Sequence, residues 1–430
     1  MDTSAGGPER FSLGQVAERL GFPEGGKEMC TGWDEAMRAP APAALDTLKP
    51  EFIAQAGLYG GMTGEMIGAM NAFAGRIRAD ENALAFYRYA YHRVRTDLSL
   101  TEEWNAPWPA LDGHFGPEAG LFNALVALSG VPEMKELHHR LGIPEDVTRD
   151  TAGDIRRWME SDLYYQRYKV WGITPWLMAW LSRHRHGKVF QIKRLHFTAK
   201  GFDGRLKAYR NRKTREVVAI SDPGVKYLAD GNLHGWCCGE IPGTWTSTLE
   251  ETTDAVTGNP ILPAGLARRE KVRLPLSEWE LVLKQGDPVL GIHIPTGSPM
   301  TFEECGESYR KALEFYPKYF PEFKSRGFNT SSWLLDTKLE QLLSPESNIV
   351  KMMKEFYLYP GTASGNHGFF ERVFGWGITD IKGLPRNTSL QKAIGDFADK
   401  GGHFHGGSCL LLNEDLDWGT GVYRSRRAVI

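Results

Sequence analysis

The hydrophobic pattern of the chain changes once, near residue 185, and this change restricts the fold more than any other feature. Before residue 188 apolar residues recur every three or four positions, as in residues 62–77 (MTGEMIGAMNAFAGRI), and no run alternates as a strand does. After it, runs of strand character begin with residues 189–198 (VFQIKRLHFT). The sequence therefore predicts an α+β protein with a helical domain over residues 1–185 and a sheet-containing domain over residues 186–430.

Length and composition agree with two globular domains. The chain has 430 residues, of which 41% are hydrophobic and 24% charged, which excludes wholesale disorder, collagen-like structure and a long coiled coil. The net charge of −2 gives no overall attraction to nucleic acid or to an anionic membrane, so we expect neither as a partner.

Cysteine usage and the N-terminal sequence predict a cytoplasmic protein. The five cysteines are odd in number and form no C-x-x-C motif, which favours a reducing compartment. Adjacent Cys237 and Cys238 are predicted to be a buried loop pair rather than reactive thiols. The start, MDTSAGGPERFS, lacks a basic region followed by an apolar stretch. The most apolar segment, residues 171–181 (WGITPWLMAWL), is too short to span a bilayer and is predicted to be a buried helix.

The second half contains a predicted hairpin and a predicted loop region. Residues 206–211 and 216–221 flank a short polar turn and are expected to pair. Residues 222–276 are rich in Gly, Pro and Thr and are predicted to form long loops. The basic residues around the hairpin turn are expected to be solvated, with contact to a phosphate or to an acidic carrier-protein surface as the alternatives.

The feature that most suggests chemistry is a strand, a glycine-containing loop and a capped helix in sequence. A strand at residues 288–295 leads through Thr296-Gly297-Ser298 into a helix over residues 301–320, where Thr301 and Glu304 have the spacing of a capping box. Backbone N–H groups and the helix dipole favour an anion such as a pyrophosphate there. The segment is neither a Walker A nor a dinucleotide-binding loop, and an ordinary strand-to-helix turn remains the alternative.

Several stretches resemble a known family. GIHIPTGSPMTFEECGESYRKALEFYPKYFPEF and SSWLLDTKLEQLLSPESNIVKMMKEF resemble the GNAT-like C-terminal domain of two-domain bacterial acyltransferases, as do FQIKRLHF, LKAYRNRKTREVVAISDPG and ETTDAVTGNPILPAG upstream. The helical half resembles the N-acyltransferase N-terminal domain of that family. The resemblance covers most of the chain from about residue 50.

The resemblance implies a mixed, mostly antiparallel, V-splayed sheet that binds an acyl thioester. The pantetheine arm of the donor would lie against the strand that holds Ile292 and Ile294. The pyrophosphate would lie at Thr296, Gly297 and Ser298 and at the helix that begins near Thr301. Two further candidate donor contacts, which are alternatively helix caps, are Ser347 and Asn348.

One departure from the family pattern leaves the donor open. The chain has H-I-P-T-G-S-P-M where GNAT enzymes carry R-x-x-G-x-G/A, and Pro299 removes one more N–H donor. Both acyl-CoA and the acyl-phosphopantetheine of an acyl-carrier protein therefore remain candidate donors.

The chemistry that the resemblance implies is direct attack of a neutral amine on a thioester. Such a reaction needs a base, donors for the oxyanion and an acid near the departing sulfur. His293 is the candidate base and Ser332 the candidate acid, and Trp333 and Asp336 complete the predicted catalytic set, with Asp336 holding the amine. The alternatives are a core histidine for His293 and a strand end with a capping Asp for the SWLLD segment.

No metal is expected. His403, His405 and Cys409 in HFHGGSC have spacing that a zinc site can use, but no second ligand pair stands nearby. The predicted function is acyl transfer from a thioester donor to a primary amine on a small molecule or peptide, through a ternary complex. The alternatives are a non-catalytic module that binds acyl-CoA or an acyl-carrier protein and, third, a zinc hydrolase.

Overall fold

The computed structural model describes residues 11–102, 107–161, 163–235, 239–361 and 365–425. The chain divides into two packed units: one extends to Ile192 and includes Pro295–Ser298, and the other comprises Lys193–Ile294 and the chain from Pro299. The domain boundary between residues 185 and 186 stays a prediction. Cys237 and Cys238 lie outside the described residues.

The first unit is helical and ends in a short strand. Its helices are α1 (Leu13–Arg19), α2 (Trp33–Arg38), α3 (Pro42–Asp46), α4 (Pro50–Tyr59), α5 (Gly64–Ala79), α6 (Glu81–Thr96), α7 (Asp112–Phe115), α8 (Ala119–Ser129), α9 (Val131–Arg140), α10 (Glu145–Ala152), α11 (Asp154–Ser161), α12 (Leu163–Tyr168) and α13 (Leu177–Arg185). Short 3-10 helices span Leu98–Thr101 and Gly116–Glu118, and strand β1 is Val189–Ile192.

Helix α8 lies at the centre of the first unit because it is apolar on all sides. Ten of its eleven residues are buried. Its Phe122 ring stacks on Phe86 at 5.2 Å and meets Tyr87 edge-on at 5.8 Å, both from α6. Polar side chains start the two longest helices of this unit: Thr63 accepts a hydrogen bond from the Met66 N–H before α5, and Asp80 accepts two before α6.

The buried helix predicted over residues 171–181 is confirmed only in its second half, since α13 begins at Leu177. The preceding residues pack against α8, where the Ile173 N–H donates to the Gly120 carbonyl at 3.0 Å. A Cβ atom on Gly120 would lie 2.8 Å from the Cα of Gly172, so this contact requires glycine. No helix within the described residues is long and apolar enough to cross a membrane.

The second unit combines strands and helices. Its strands are β2 (Leu195–Gly201), β3 (Leu206–Asn211), β4 (Val217–Ser221), β5 (Lys226–Tyr227), β6 (Trp245–Thr246), β7 (Leu249–Glu251), β8 (Ala255–Gly258), β9 (Pro260–Ile261), β10 (Val272–Pro275), β11 (Trp279–Leu283), β12 (Pro288–His293), β13 (Gly327–Ser332), β14 (Tyr357–Pro360) and β15 (Gly407–Leu412). Its helices are α14 (Phe302–Tyr319), α15 (Lys338–Leu342), α16 (Asn348–Lys354), α17 (Gly365–Phe374), α18 (Ser389–Asp399) and α19 (Val422–Ser425), with 3-10 turns at Trp333–Leu335 and Asn413–Asp415.

The principal sheet of this unit is mixed and mostly antiparallel. Its strands pair in the order β2, β12, β13, β15, β14, and only β12 and β13 run parallel. Helix α14 covers one face through Tyr309, whose ring lies 5.9 Å from Phe197 and 4.9 Å from Phe328. The predicted fold class, a helical region followed by a mostly antiparallel sheet domain, is confirmed.

The prediction of long loops over residues 222–276 is wrong. This segment contains strands β5 to β10, which form a three-stranded sheet (β10, β8, β7), a β5–β6 pair and an edge strand, β9, beside β4. These strands have only two to four residues each, which is too short for an alternating pattern to stand out among Gly and Pro. The hairpin predicted from residues 206–211 and 216–221 is confirmed by the pairing of β3 with β4.

A buried ion pair joins a second sheet (β11, β3, β4, β9) to the end of strand β15. Arg210 on β3 binds both carboxylate oxygens of Asp415, with Nη1–Oδ1 at 2.9 Å and Nη2–Oδ2 at 2.7 Å. Each side chain is 1% exposed. A bidentate pair of this kind fixes the relative orientation of the two side chains as well as their distance.

We expect Arg210→Met to lower the free energy of unfolding by about 3–5 kcal/mol, because it leaves the Asp415 carboxylate buried without its cation. Urea unfolding followed by circular dichroism measures this loss. The matched control is Arg212→Met on the same hairpin, since Arg212 is half exposed and pairs with Glu280 at 2.6 Å. That exposed pair is worth at most about 1 kcal/mol. Equal losses in the two variants would contradict the assignment.

Candidate functional site

The parallel strands β12 and β13 pair over a very short distance. Only Leu290 with Phe328 and Gly291 with Asn329 are in register. One residue further on, the Ile292 carbonyl accepts a hydrogen bond from the Thr330 side chain at 2.8 Å. Both strands continue beyond this point, to His293 and Ser332. The parallel ladder therefore ends inside the sheet. The last residues of both strands lie beyond the paired positions of this ladder.

The predicted base, His293, is the last residue of β12 and faces another histidine. The antiparallel register places it directly opposite His196 on β2. The two imidazole rings are stacked at 5.8 Å with an interplanar angle of 7°. His196 is fully buried, whereas His293 is half-buried. Sequence reasoning missed His196, because 97 positions separate the two histidines and only the strand register brings them together.

Strand β13 leads directly into the other predicted catalytic residues. The Ser332 hydroxyl accepts a hydrogen bond from the Leu334 N–H at 3.2 Å and so caps the 3-10 turn Trp333–Leu335. The Trp333 ring meets Phe369 edge-on at 5.5 Å. Phe369 in turn stacks on Phe404 at 4.1 Å. The indole is therefore held by an aromatic cluster behind the strand end.

Asp336 binds three main-chain groups. Its Oδ1 accepts from the Lys338 N–H at 2.8 Å, and its Oδ2 accepts from the N–H groups of His405 and Gly406 at 2.6 and 2.7 Å. The residue is 1% exposed. Burial raises the pKa of this carboxyl above its ordinary value, while the three N–H groups oppose the rise. Its bonds give Asp336 a structural task, and its role in holding the amine stays a prediction.

The predicted donor loop is exposed and lies within the first unit. Thr296, Gly297 and Ser298 are all exposed, and Gly297 has a φ of 118°, which favours glycine. The Thr296 hydroxyl donates to the Ser161 hydroxyl at the end of α11 at 3.1 Å. Of the two predicted strand contacts, Ile292 is buried and Ile294 half-buried. Their contact with a donor stays a prediction.

The predicted helix caps at Thr301 and Ser347 are present. Thr301 caps α14 by accepting from the Glu304 N–H at 3.3 Å, and its hydroxyl donates to the Glu304 carboxylate at 2.8 Å. Ser347 caps α16 by accepting from the Val350 N–H at 3.3 Å, and Asn348 is the exposed first residue of that helix. Their binding of a donor stays a prediction.

The HFHGGSC segment does not assemble a compact ligand set. Within the described part of the chain, the potential ligand atoms of His403, His405 and Cys409 do not all lie within 4.8 Å of one another. Cys409 is fully buried on strand β15, and burial raises the pKa of its thiol to about 12. The pKa of His405 is lowered, and burial is the largest cause.

Family models match both halves of the chain. A model described as the GNAT-like C-terminal domain matches residues 189–411, and one described as the N-acyltransferase N-terminal domain matches residues 51–187. Among curated proteins, none matches the chain significantly.

Solved acyltransferase structures share the fold. One in complex with decanoyl-CoA and teicoplanin is 19% identical, with a TM-score of 0.64, over 94% of this chain and 99% of that one. A variant in complex with octanoyl-CoA is 19% identical, with a TM-score of 0.63, over 93% and 99%. A complex with CoA and 10C-teicoplanin is 18% identical, with a TM-score of 0.62, over 94% and 99%.

We expect Asp336→Ala to destabilise the second unit, because it leaves three backbone N–H groups without their acceptor. A buried donor without a partner costs about 1–3 kcal/mol, so the loss should be at least about 2 kcal/mol. Thermal and urea unfolding measure it. Asp417→Asn is the control, since that side chain is exposed. An Asp336→Ala protein as stable as the control would show that these bonds do not hold the 405–406 segment.

Proposed function

The chain belongs to the family that carries the GNAT-like C-terminal domain, and on this premise we propose that it transfers an acyl group from acyl-CoA to a primary amine. The observation that carries the proposal is the early end of the β12–β13 ladder. Two parallel strands that stop pairing inside a sheet leave amide groups for another extended chain. A pantetheine arm, which contains two amides, is such a chain.

The donor is proposed to follow strand β12 into the loop beyond it. Ile292 and Ile294 would contact the pantetheine arm, and the exposed Thr296–Ser298 segment would meet the pyrophosphate. Thr301, Ser347 and Asn348 are the further proposed contacts. The similar structures that hold CoA thioesters support acyl-CoA as the donor. An acyl-carrier protein remains the alternative donor that the tests distinguish.

His293 is proposed to remove the proton from the attacking amine. The His293 ring lies at the end of β12, stacked on the His196 ring at 5.8 Å. A neutral imidazole near physiological pH is a suitable general base. The amine nitrogen then forms a bond to the thioester carbon, and collapse of the tetrahedral intermediate breaks the carbon–sulfur bond.

Ser332 is proposed to protonate the departing thiolate. Its oxygen accepts the Leu334 N–H, which leaves its own O–H to donate elsewhere. Trp333, held by Phe369, would form one wall of the site. For Asp336 the geometry favours a positioning role, since its oxygens bind the main-chain N–H groups of Lys338 and His405.

The acceptor is proposed to be a primary amine on a small molecule or a peptide. Two of the similar structures hold teicoplanin or 10C-teicoplanin. The second candidate function is a module that binds acyl-CoA or an acyl-carrier protein without turnover. The observation that favours this second candidate is the departure of the loop, H-I-P-T-G-S-P-M, from the R-x-x-G-x-G/A pattern of GNAT enzymes.

We expect acyl-CoA thioesters of graded chain length to stabilise the protein against heat. A ligand at a hundred times its Kd adds about 2.7 kcal/mol to the free energy of unfolding. Release of free thiol in the presence of candidate amines then separates an enzyme from a binding module. Stabilisation by acyl-carrier protein alone would contradict acyl-CoA as the donor, and binding without thiol release would favour the module.

We expect His293→Ala to lower kcat by about 10²–10⁴-fold, because general-base catalysis contributes that much. The Kd for acyl-CoA should change little, and the pH dependence of kcat near neutrality should flatten. The matched control is His403→Ala, since His403 is an exposed histidine in the same unit. If turnover and its pH profile were the same in His293→Ala and wild type, the base would be another group.

A further inference from the structure

Helix α11 packs on the predicted donor loop through two residues one turn apart. Ser161 accepts a hydrogen bond from Thr296 at 3.1 Å and donates to the Arg157 carbonyl at 2.7 Å. A Cβ atom on Gly297 would lie 3.7 Å from Cδ of Arg157. The side chain of Arg157 therefore lies beside the exposed loop, on the side to which a Cβ of Gly297 would point.

The loop itself is poorly equipped to bind a pyrophosphate. Between Pro295 and Pro299, which lack N–H groups, it offers three backbone donors. No Lys or Arg occurs between His293 and Arg310. The first turn of α14 carries Glu303 and Glu304, which repel a phosphate. A pyrophosphate at this loop needs a cation from another part of the chain.

Arg157 is held in a fixed position beside this loop. Its Nε lies 3.4 Å from Asp154 Oδ1, and its Nη2 donates to the Asp150 carbonyl at 2.9 Å and to the Gln191 side chain. Its side chain is 13% exposed. Within the described residues its Nη1 makes no hydrogen bond. The guanidinium is thus anchored on one edge, which lowers the entropic cost of using the other edge to bind an anion.

The anchoring carboxylate does not belong to Arg157 alone. Asp154 is 1% exposed, and its Oδ2 accepts from the indole N–H groups of Trp158 at 3.1 Å and Trp180 at 2.8 Å. His184 Nε2 lies 3.1 Å from the same oxygen. Asp154 therefore interacts with several donors as well as with Arg157. Its ion pair with Arg157 does not fully neutralise the positive charge of the guanidinium.

We propose that Arg157 is a donor-binding residue whose guanidinium contacts the phosphates of acyl-CoA at the Thr296–Ser298 loop. The proposal rests on the proposed function and deepens it. It assigns to the helical unit the cation that the loop sequence lacks. It also predicts selectivity: donors that carry the nucleotide diphosphate should bind better than an acyl-pantetheine, which has no phosphate.

The test compares Kd values by calorimetry for an acyl-CoA and for the acyl-pantetheine with the same acyl chain. A charge-assisted hydrogen bond contributes about 1.5–3 kcal/mol, so Arg157→Gln should weaken acyl-CoA binding about 10- to 100-fold. Acyl-pantetheine binding should stay within about twofold of wild type. Added salt should weaken acyl-CoA binding more in wild type than in Arg157→Gln.

Arg156→Gln is the matched control. Arg156 is the neighbouring residue on α11, and its Nη1 lies 3.9 Å from Glu160 on the same helix. Its loss should change neither Kd. Arg157→Lys keeps the charge without the fork of donors, so it should give an intermediate loss for acyl-CoA alone. If Arg157→Gln does not fold, the comparison of the two Kd values is made with Arg157→Lys instead.

Three results would overturn the proposal. One is acyl-CoA binding by Arg157→Gln within twofold of wild type, and another is an equal loss for both ligands, which would indicate a structural role only. Either leaves the proposed function intact if wild type still releases thiol from acyl-CoA. The third is a wild type that binds neither ligand, which would overturn the proposed function together with this inference.

Discussion

The structure of the second unit depends on a parallel strand pair that is left incomplete. Strands β12 and β13 share only two positions of register, yet each is paired over six positions on its other side, with β2 and β15. The antiparallel neighbours therefore hold the two strands beyond the point where their parallel register ends. Because each strand is paired along its other edge, the short parallel ladder does not cost the sheet its stability.

Buried carboxylates fix the segments around this divergence. Asp336 gathers three backbone N–H groups where β13 ends, and Asp415 holds Arg210 where β15 ends. Within the helical unit, Asp154 holds two indoles and Arg157. Each carboxylate is compensated by several donors, which is the condition under which a charge tolerates burial. These hydrogen bonds hold in a single conformation loops that have few apolar residues to pack.

The elements that the sequence predicted well share a local cause. The strand ending at His293, the cap at Thr301 and the β3–β4 hairpin follow from residues close together in the chain. The strands within residues 222–276 were missed because each has only two to four residues, too few for an alternating pattern to stand out. Most candidate site residues follow from the family resemblance, since no local pattern assigns a side chain to a thioester site.

The sequence by itself determined the change from helices to strands near residue 185, the absence of a strong overall charge, and the strand, loop and capped helix around Gly297. These depend on periodicity, composition and capping, which are local. Only the tertiary structure paired His293 with His196 and brought Arg157 against the loop. Both contacts join residues more than ninety positions apart, and strand register and helix packing, which no local pattern encodes, decide which distant side chains meet.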